Sequence, residues 1–216
     1  GILNIPNFAH GVLYTVGAYL TFLVVVSLGF NYWIAILCAM AALAIIGMVV
    51  HRLVYRPLVN APHLNSFIAA IGLIFMFKAA MLLIWGPDFK RYPPINDTVV
   101  NIFGTIVTTQ RILIVLITII LIVILNLFIK KTMAGMTIQA LAQDREGALL
   151  AGINVERVET LVFAVGSAMA AVAAALISPI FLVYNTMGDF VILKAFVIII
   201  LGGMGSIPGA IIGGYI

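Results

Sequence analysis

Charge is what this sequence has least of. Asp, Glu, Lys and Arg make up 8% of its 216 residues and hydrophobic side chains 64%, where an ordinary soluble domain holds about 25% and roughly 45–50%. A water-soluble fold of this length cannot hide so much apolar surface in one core, because too few polar residues remain to cover it. Lipid must cover the remainder. The formal net charge is +4, but the basic residues are scattered singly and in pairs, which excludes the continuous basic stripe of a nucleic-acid binder. The single cysteine, Cys38, lies in an apolar run. It excludes an intrachain disulfide and a thiolate metal cluster, and it reads as a small lipid- or helix-facing residue.

Other signals are missing as well. The opening Gly1-Ile2-Leu3-Asn4-Ile5-Pro6-Asn7 lacks the basic start and small-residue cleavage site of a signal peptide. With no initiator Met, and with Gly213-Gly214-Tyr215-Ile216 falling inside an apolar run, a piece of a longer protein is expected.

What is there is a series of continuous apolar runs, at 8–28, 33–50, 66–85, 112–129 and 160–183, with a sixth beginning near 190. A helix needs about 20 such residues to cross the hydrocarbon layer. The runs are continuous rather than alternating, which excludes a β-barrel. The predicted fold class is all-α, a polytopic transmembrane helical bundle. Arg52 and Arg56 fall in the loop 51–65, and Lys130, Lys131, Arg145 and Arg157 in the loop 130–159. Lys90, Arg91 and Arg111 fall on the other side. Cytoplasmic loops are the basic ones, so 51–65 and 130–159 are predicted to be cytoplasmic. In the outer loop 86–111, turn residues at Gly86-Pro87-Asp88 and Tyr92-Pro93-Pro94 precede a short strand or interfacial piece. It reads as a lid or docking surface, or equally as a connector ordered by its prolines.

Four features carry functional content. The first is Thr137 to Gly152, predicted as a short amphipathic surface helix capped by Thr137, with 138, 141, 142, 148 and 149 on its apolar side. Gly152 ends it in a left-handed turn, and Asn154 caps the next span with Glu156 in its first turn. Ala140, Ala142, Gly147, Ala148 and Gly152 are small enough to let a partner approach, and Asp144, Arg145 and Glu146 sit where they could register it. A solvated connector would show the same pattern. The second feature is Asn4 to Gly11: Pro6 forces extended backbone before it, and Asn7 can cap a helix whose free N–H groups near Phe8 and His10 would face a substrate carboxylate if the turn lies within the bilayer. At the surface, Asn7 is only a cap and His10 only an interfacial residue.

The third is Leu201 to Ala210, where Gly202, Gly203, Gly205, Gly209 and Pro208 interrupt an apolar run. It fits a re-entrant turn or a tight helix-to-helix corner. It is not a phosphate loop, since no Gly-Lys-Ser/Thr follows. The fourth is a pair of lysines inside the spans, Lys78 in the outer half of its run and Lys194 close to the outer end of the next, with Asp189 placed to pair with Lys194. Both lysines can snorkel or serve a substrate. The small residues from Gly166 to Ala175 suit tight packing, and Pro179 is expected to kink that span near its outer end.

Asn7-Phe8-Ala9-His10-Gly11 followed by Gly17-Ala18-Tyr19, Ile71-Gly72-Leu73 through Trp85-Gly86-Pro87, Ala142-Gln143-Asp144-Arg145-Glu146 with Gly152-Ile153, and Gly202 through Gly209 together resemble the permease family of branched-chain amino-acid ABC importers. The likeness covers nearly the whole chain and is to the first of that system's two permease types. It implies a single transmembrane permease domain over 1–216, lacking the first helix and the C-terminal helix or helices, in a bacterial or archaeal cytoplasmic (inner) membrane. It further implies a second related permease subunit, two cytoplasmic ATP-binding subunits, and a periplasmic or lipid-anchored solute-binding protein. The chain would itself be non-catalytic and hold no cofactor, with ATP and Mg bound by the partner ATPases. Ala140, Asp144, Arg145, Glu146, Gly147 and Gly152 would couple to an ATPase, and Asn7, Phe8, His10, Gly11, Gly202 and Gly203 would line the substrate path. Lys78 is a departure from this resemblance, since an uncharged polar residue is expected there. An ATP-independent secondary transporter would need buried ionisable residues, and no Asp or Glu is expected mid-span. An intramembrane enzyme would need a nucleophile and base at helical spacing, and His10, His51 and His63 are expected in or near loops. A permease for an amide, urea or sugar is the remaining alternative.

Overall fold

The computed structural model describes residues 8–59, 61–92, 98–102, 105–203 and 207–214. Among them, α1 (His10–Phe22) runs on through a π turn (Leu23–Ser27), and α2 (Tyr32–Val50) continues through a π turn (His51–Tyr55) and a 3-10 turn (Arg56–Leu58). Then follow α3 (His63–Trp85), a hairpin of β1 (Val99–Ile102) and β2 (Thr105–Thr108), and α4 (Thr109–Lys131). After these come α5 (Met133–Gln143), α6 (Arg145–Leu150), α7 (Val155–Ile177), α8 (Met187–Gly202) and α9 (Ile207–Gly213). Five helical segments are long and apolar enough to cross a membrane, at 10–27, 32–58, 64–85, 109–131 and 155–177. The helical bundle is thus as expected, with α8 as the sixth run.

The centre of the bundle is α7, packed against α2 and α1. Its small residues make this possible: Ala171, Ala174 and Ala175 are fully buried. A Cβ on Gly17 of α1 would stand 2.8 Å from the Ala171 Cα, and one on Gly47 of α2 would stand 2.7 Å from the Phe163 carbonyl oxygen. Lipid gives helices no hydrophobic reason to associate, so close backbone approach through small residues has to hold them.

Pro179 ends α7 instead of kinking it, since the helix stops at Ile177 with Ser178 as its C-cap. Proline has no N–H, so the Ala175 carbonyl four residues earlier loses its helical donor. Two phenols replace it: Tyr32 donates to that oxygen at 2.6 Å and Tyr92 at 3.2 Å. Gln110, at the start of α4, donates to the neighbouring Leu176 carbonyl at 3.3 Å. Burial raises the Tyr92 pKa above its ordinary value, with Tyr32 adding to the shift. The phenol therefore stays a donor. One helix end thereby ties together α2, α4 and the stretch after α3.

The loops are shorter than the sequence suggested. His51, Arg52 and Arg56 extend α2, and Arg111 lies in the first turn of α4. The stretch after α3 contains the antiparallel hairpin, with Val99 opposite Thr108 and Ile102 opposite Thr105. An isolated bridge between Lys90 and Val183 joins it to the segment before α8. Cys38 is exposed on the outer side of α2.

Candidate functional site: a helix start within the bundle and a charged latch at its basic end

The first region surrounds the start of α1. Its N-cap is Ala9, and Asn7, expected to cap this helix, lies outside the described residues. A Cβ on Gly166, midway along α7, would stand 3.5 Å from the His10 ring. So α1 begins within the depth of the bundle, and Phe8 is wedged between α3 and α8, its ring 5.3 Å from Phe67 and 4.7 Å from Phe196. Gly11 is buried against α8, where an added Cβ would meet the Gly188 carbonyl at 2.7 Å and Ile192 at 2.8 Å. The Gly188 N–H donates to the Thr15 hydroxyl at 3.0 Å. The start of α8 is therefore held against the middle of α1, below the end of the bundle.

That depth changes the reading of the intramembrane charges. Asp189, in the first turn of α8, pairs at 2.6 Å with Lys78 of α3 and not with Lys194. Lys194 is exposed further along α8, away from its outer end, and has no ion pair among the described residues. Sequence spacing suggested the nearer lysine, but Asp189 and Lys194 are five residues apart, more than the three or four that bring side chains together on a helix.

At the far end of α8, Gly202 closes the helix and Gly203 adopts φ +84, a left-handed conformation that glycine adopts without strain. A Cβ on Gly202 would overlap the Gly209 backbone of α9, which folds back against α8. The close packing of α9 on α8 is present, while residues 204–206, which join them, lie outside the described residues. Replacing Gly188 by alanine is expected to lower the thermal unfolding midpoint, since its Cβ would overlap the Gly11 carbonyl oxygen; overpacking of this kind costs about 1–3 kcal/mol. Gly72→Ala, with nothing within 4 Å of its Cβ, is the control expected to leave the midpoint unchanged or slightly raised.

The second region is the basic end. The single helix expected over 137–152 is two helices. Thr132, not Thr137, caps α5, its hydroxyl accepting from the Gly135 N–H at 3.0 Å. Asp144 then breaks the helix and caps α6, accepting from the Glu146 N–H at 3.0 Å. The break reorients the apolar positions. Leu141 and Ala148 are buried against Val155 and Val158 of α7 with Ile138 beside them, whereas Ala142 and Leu149 are exposed. Ala140 and Gly147 are half-buried, Asp144 and Glu146 exposed. Gly152 takes φ +78, and Asn154 caps α7 by accepting from the Arg157 N–H at 3.0 Å, both as expected.

Arg145 turns inward. Its guanidinium meets the Glu159 carboxylate at 3.2 Å, and the other oxygen of Glu159 lies 3.5 Å from His51 Nε2. The other ring nitrogen, Nδ1, shares a hydrogen bond of 2.9 Å with the Thr160 hydroxyl. The Glu159 side chain is 4% exposed and that of His51 1%. A buried carboxylate thus ties α6 to the ends of α7 and α2. Glu159 was expected in a loop and His51 near one; both lie in the buried seams between helices. The signal that could have found Glu159 is its place one turn after Val155 and beside Val158, on the buried stripe that follows the Asn154 cap. Among the described residues no group of three or more His, Cys, Asp or Glu could hold a metal ion.

Five apolar helices long enough to cross a membrane, with α1 starting at depth among them, are the architecture of a polytopic membrane protein. The chain belongs to the family described as branched-chain amino acid transport system / permease component, whose model matches residues 1–216. It is 34% identical to the high-affinity branched-chain amino acid transport system permease protein LivH of Salmonella typhimurium, over 100% of this chain and 75% of that protein. To the protein BraD of Pseudomonas aeruginosa, described in the same words, it is 34% identical over 99% of this chain and 74% of the relative. To the probable branched-chain amino acid transport permease protein LivH of Methanocaldococcus jannaschii it is 27% identical, over 99% and 69%. No solved structure matches the chain.

Proposed function

We propose that the chain is a transmembrane permease subunit of an ATP-driven importer of branched-chain amino acids, in the cytoplasmic membrane of a bacterium or archaeon. It pairs with a second, related permease. Two cytoplasmic ATPases supply ATP and Mg chemistry that this subunit does not perform, and a solute-binding protein delivers the substrate from outside. The observation that carries this reading is the latch: a surface helix pair at the basic end, exposed at Asp144 and Glu146 and fastened by Arg145 to a carboxylate buried between the two central helices. Such a unit passes a push from a soluble motor into α7 and α2, which a solvated connector would not do. The substrate path runs past the start of α1, where Phe8 and Gly11 meet α8 and His10 faces Gly166 of α7. Gly202 and Gly203 line its approach from the α8–α9 corner.

Co-purification of the full-length protein with its candidate ATPases tests this. Wild type is expected to retain an ATPase, and the double variant Asp144→Ala/Glu146→Ala to lose it or to hydrolyse ATP without uptake. Uptake that persists without ATP, with no ATPase ever associating, would return the secondary transporter as the better reading.

A further inference from the structure

A cavity of about 460 Å³ opens at the basic end between the last turns of α2 and the first turn of α7, lined by Arg52, Arg56, Asn154, Glu156, Arg157 and Thr160. Glu156 is taken by Arg56 at 2.9 Å. Arg52 and Arg157 pair with no carboxylate among the described residues. One acidic side chain among three guanidiniums leaves the cavity positively charged, and the N-terminus of α7, pointing its free N–H groups to this end, adds to that potential. The coupling helices take a different face of α7, through Val155 and Val158.

The surface next to the cavity is apolar. On α2, Ile45 and Val49 are exposed four residues apart, and Arg52 follows at the next turn of that face. Leu53 is exposed beside it. Hydrocarbon-facing side chains thus lead directly into a pocket of arginines at the edge of the membrane layer. A free anion would fill the pocket and leave the strip bare, and a soluble protein cannot reach along the strip into the hydrocarbon. An amphiphile covers both, with its acyl chain along Ile45 and Val49 and its phosphate between the planar forks of Arg52 and Arg157, which suit two phosphate oxygens.

We propose that this cavity is a binding site for the headgroup of an anionic phospholipid of the basic-side leaflet, held chiefly by Arg52 and Arg157. Arg56 and Glu156 form its wall, and Thr160 and Asn154 offer neutral hydrogen bonds. Because Thr160 also meets His51, an occupied site stands one side chain away from the buried Glu159 latch. The site requires only that the chain lies in a membrane and does not depend on what the permease carries.

The test is native mass spectrometry of the full-length protein, delipidated and then titrated with phosphatidylglycerol or phosphatidylcholine, in wild type and in Arg52→Gln/Arg157→Gln. Arginines near an anionic surface contribute about fivefold in affinity each, so the double variant is expected to bind phosphatidylglycerol about 25-fold more weakly. Phosphatidylcholine is expected to bind weakly to both, and millimolar inorganic phosphate to compete poorly. Circular dichroism and the thermal midpoint of the variant, both expected to match wild type, show that it is folded. Equal retention of phosphatidylglycerol by the variant, equal binding of the two lipids, or full displacement by free phosphate would each overturn the proposal. So would a variant that keeps its lipid and loses only an associated ATPase, which would make the arginines part of a protein interface.

Discussion

Glu159→Ala is expected to be among the most damaging single substitutions in this chain. It removes the one carboxylate facing both His51 and Arg145, and it leaves a guanidinium whose buried Nε already lacks a hydrogen-bond partner. Taking one partner from a buried ion pair costs about 3–5 kcal/mol, because the other stays desolvated and unpaired. The lower end of that range applies here, since Arg145 is 41% exposed and can turn toward water. The thermal midpoint of the purified protein should fall accordingly. In the assembled transporter, ATP hydrolysis should become less responsive to substrate as α6 comes away from α7. Glu159→Gln keeps an acceptor for Arg145 and should recover part of the stability. A Glu159→Ala variant with unchanged midpoint and unchanged coupling would mean that the latch carries no load.

The second large effect concerns Lys78 and Asp189. Asp189→Leu strands an ammonium group within the membrane layer, where an uncompensated lysine near a helix centre costs about 2.5–3.5 kcal/mol on insertion scales. Lys78→Leu should be milder. The carboxylate it abandons sits in the first turn of α8, where the positive end of the helix dipole still stabilises it. The double variant Lys78→Leu/Asp189→Leu should recover most of the loss. Expression level and thermal midpoint across the four proteins form a double-mutant cycle, and purely additive losses would mean that the two charges act independently.

Run length alone located the spans, because a membrane helix has to satisfy every backbone group internally and so announces itself as an unbroken apolar stretch. The caps at Asn154 and Gly152 were legible for a similar reason, being local chemistry written within a few residues. Asp144 was legible in principle, since an aspartate can accept from the N–H two residues on and so start a helix, but the apolar spacing on either side masked the break. The charge pairs were not legible. Lys78 and Asp189 are separated by 111 residues in the chain and His51 and Thr160 by 109, so their meeting is a property of how α2, α3, α7 and α8 cross. Nor could spacing show that α1 starts within the bundle, because depth is set by the neighbours of Phe8 and Gly11 and not by their order.

The attachment of α4 has a mechanical consequence. Gln110, at its first turn, is the residue of this helix that is buried, and Ile114, Ile117 and Leu121 lean on the core, while the rest of its side chains are half-buried or exposed. At its basic end, α5 is joined to it rigidly, with the Thr132 hydroxyl donating to the Phe128 carbonyl at 2.6 Å and Gln139 reaching the Ile129 carbonyl at 3.3 Å. Gln110 is the most deeply held point of α4, buried and donating to the end of α7. From there to Lys131 the helix is about 30 Å long at 1.5 Å per residue, so a 1 Å displacement of α5 tilts α4 by roughly two degrees, and the strain falls on the contact of Ile138 and Leu141 with Val155 and Val158 of α7.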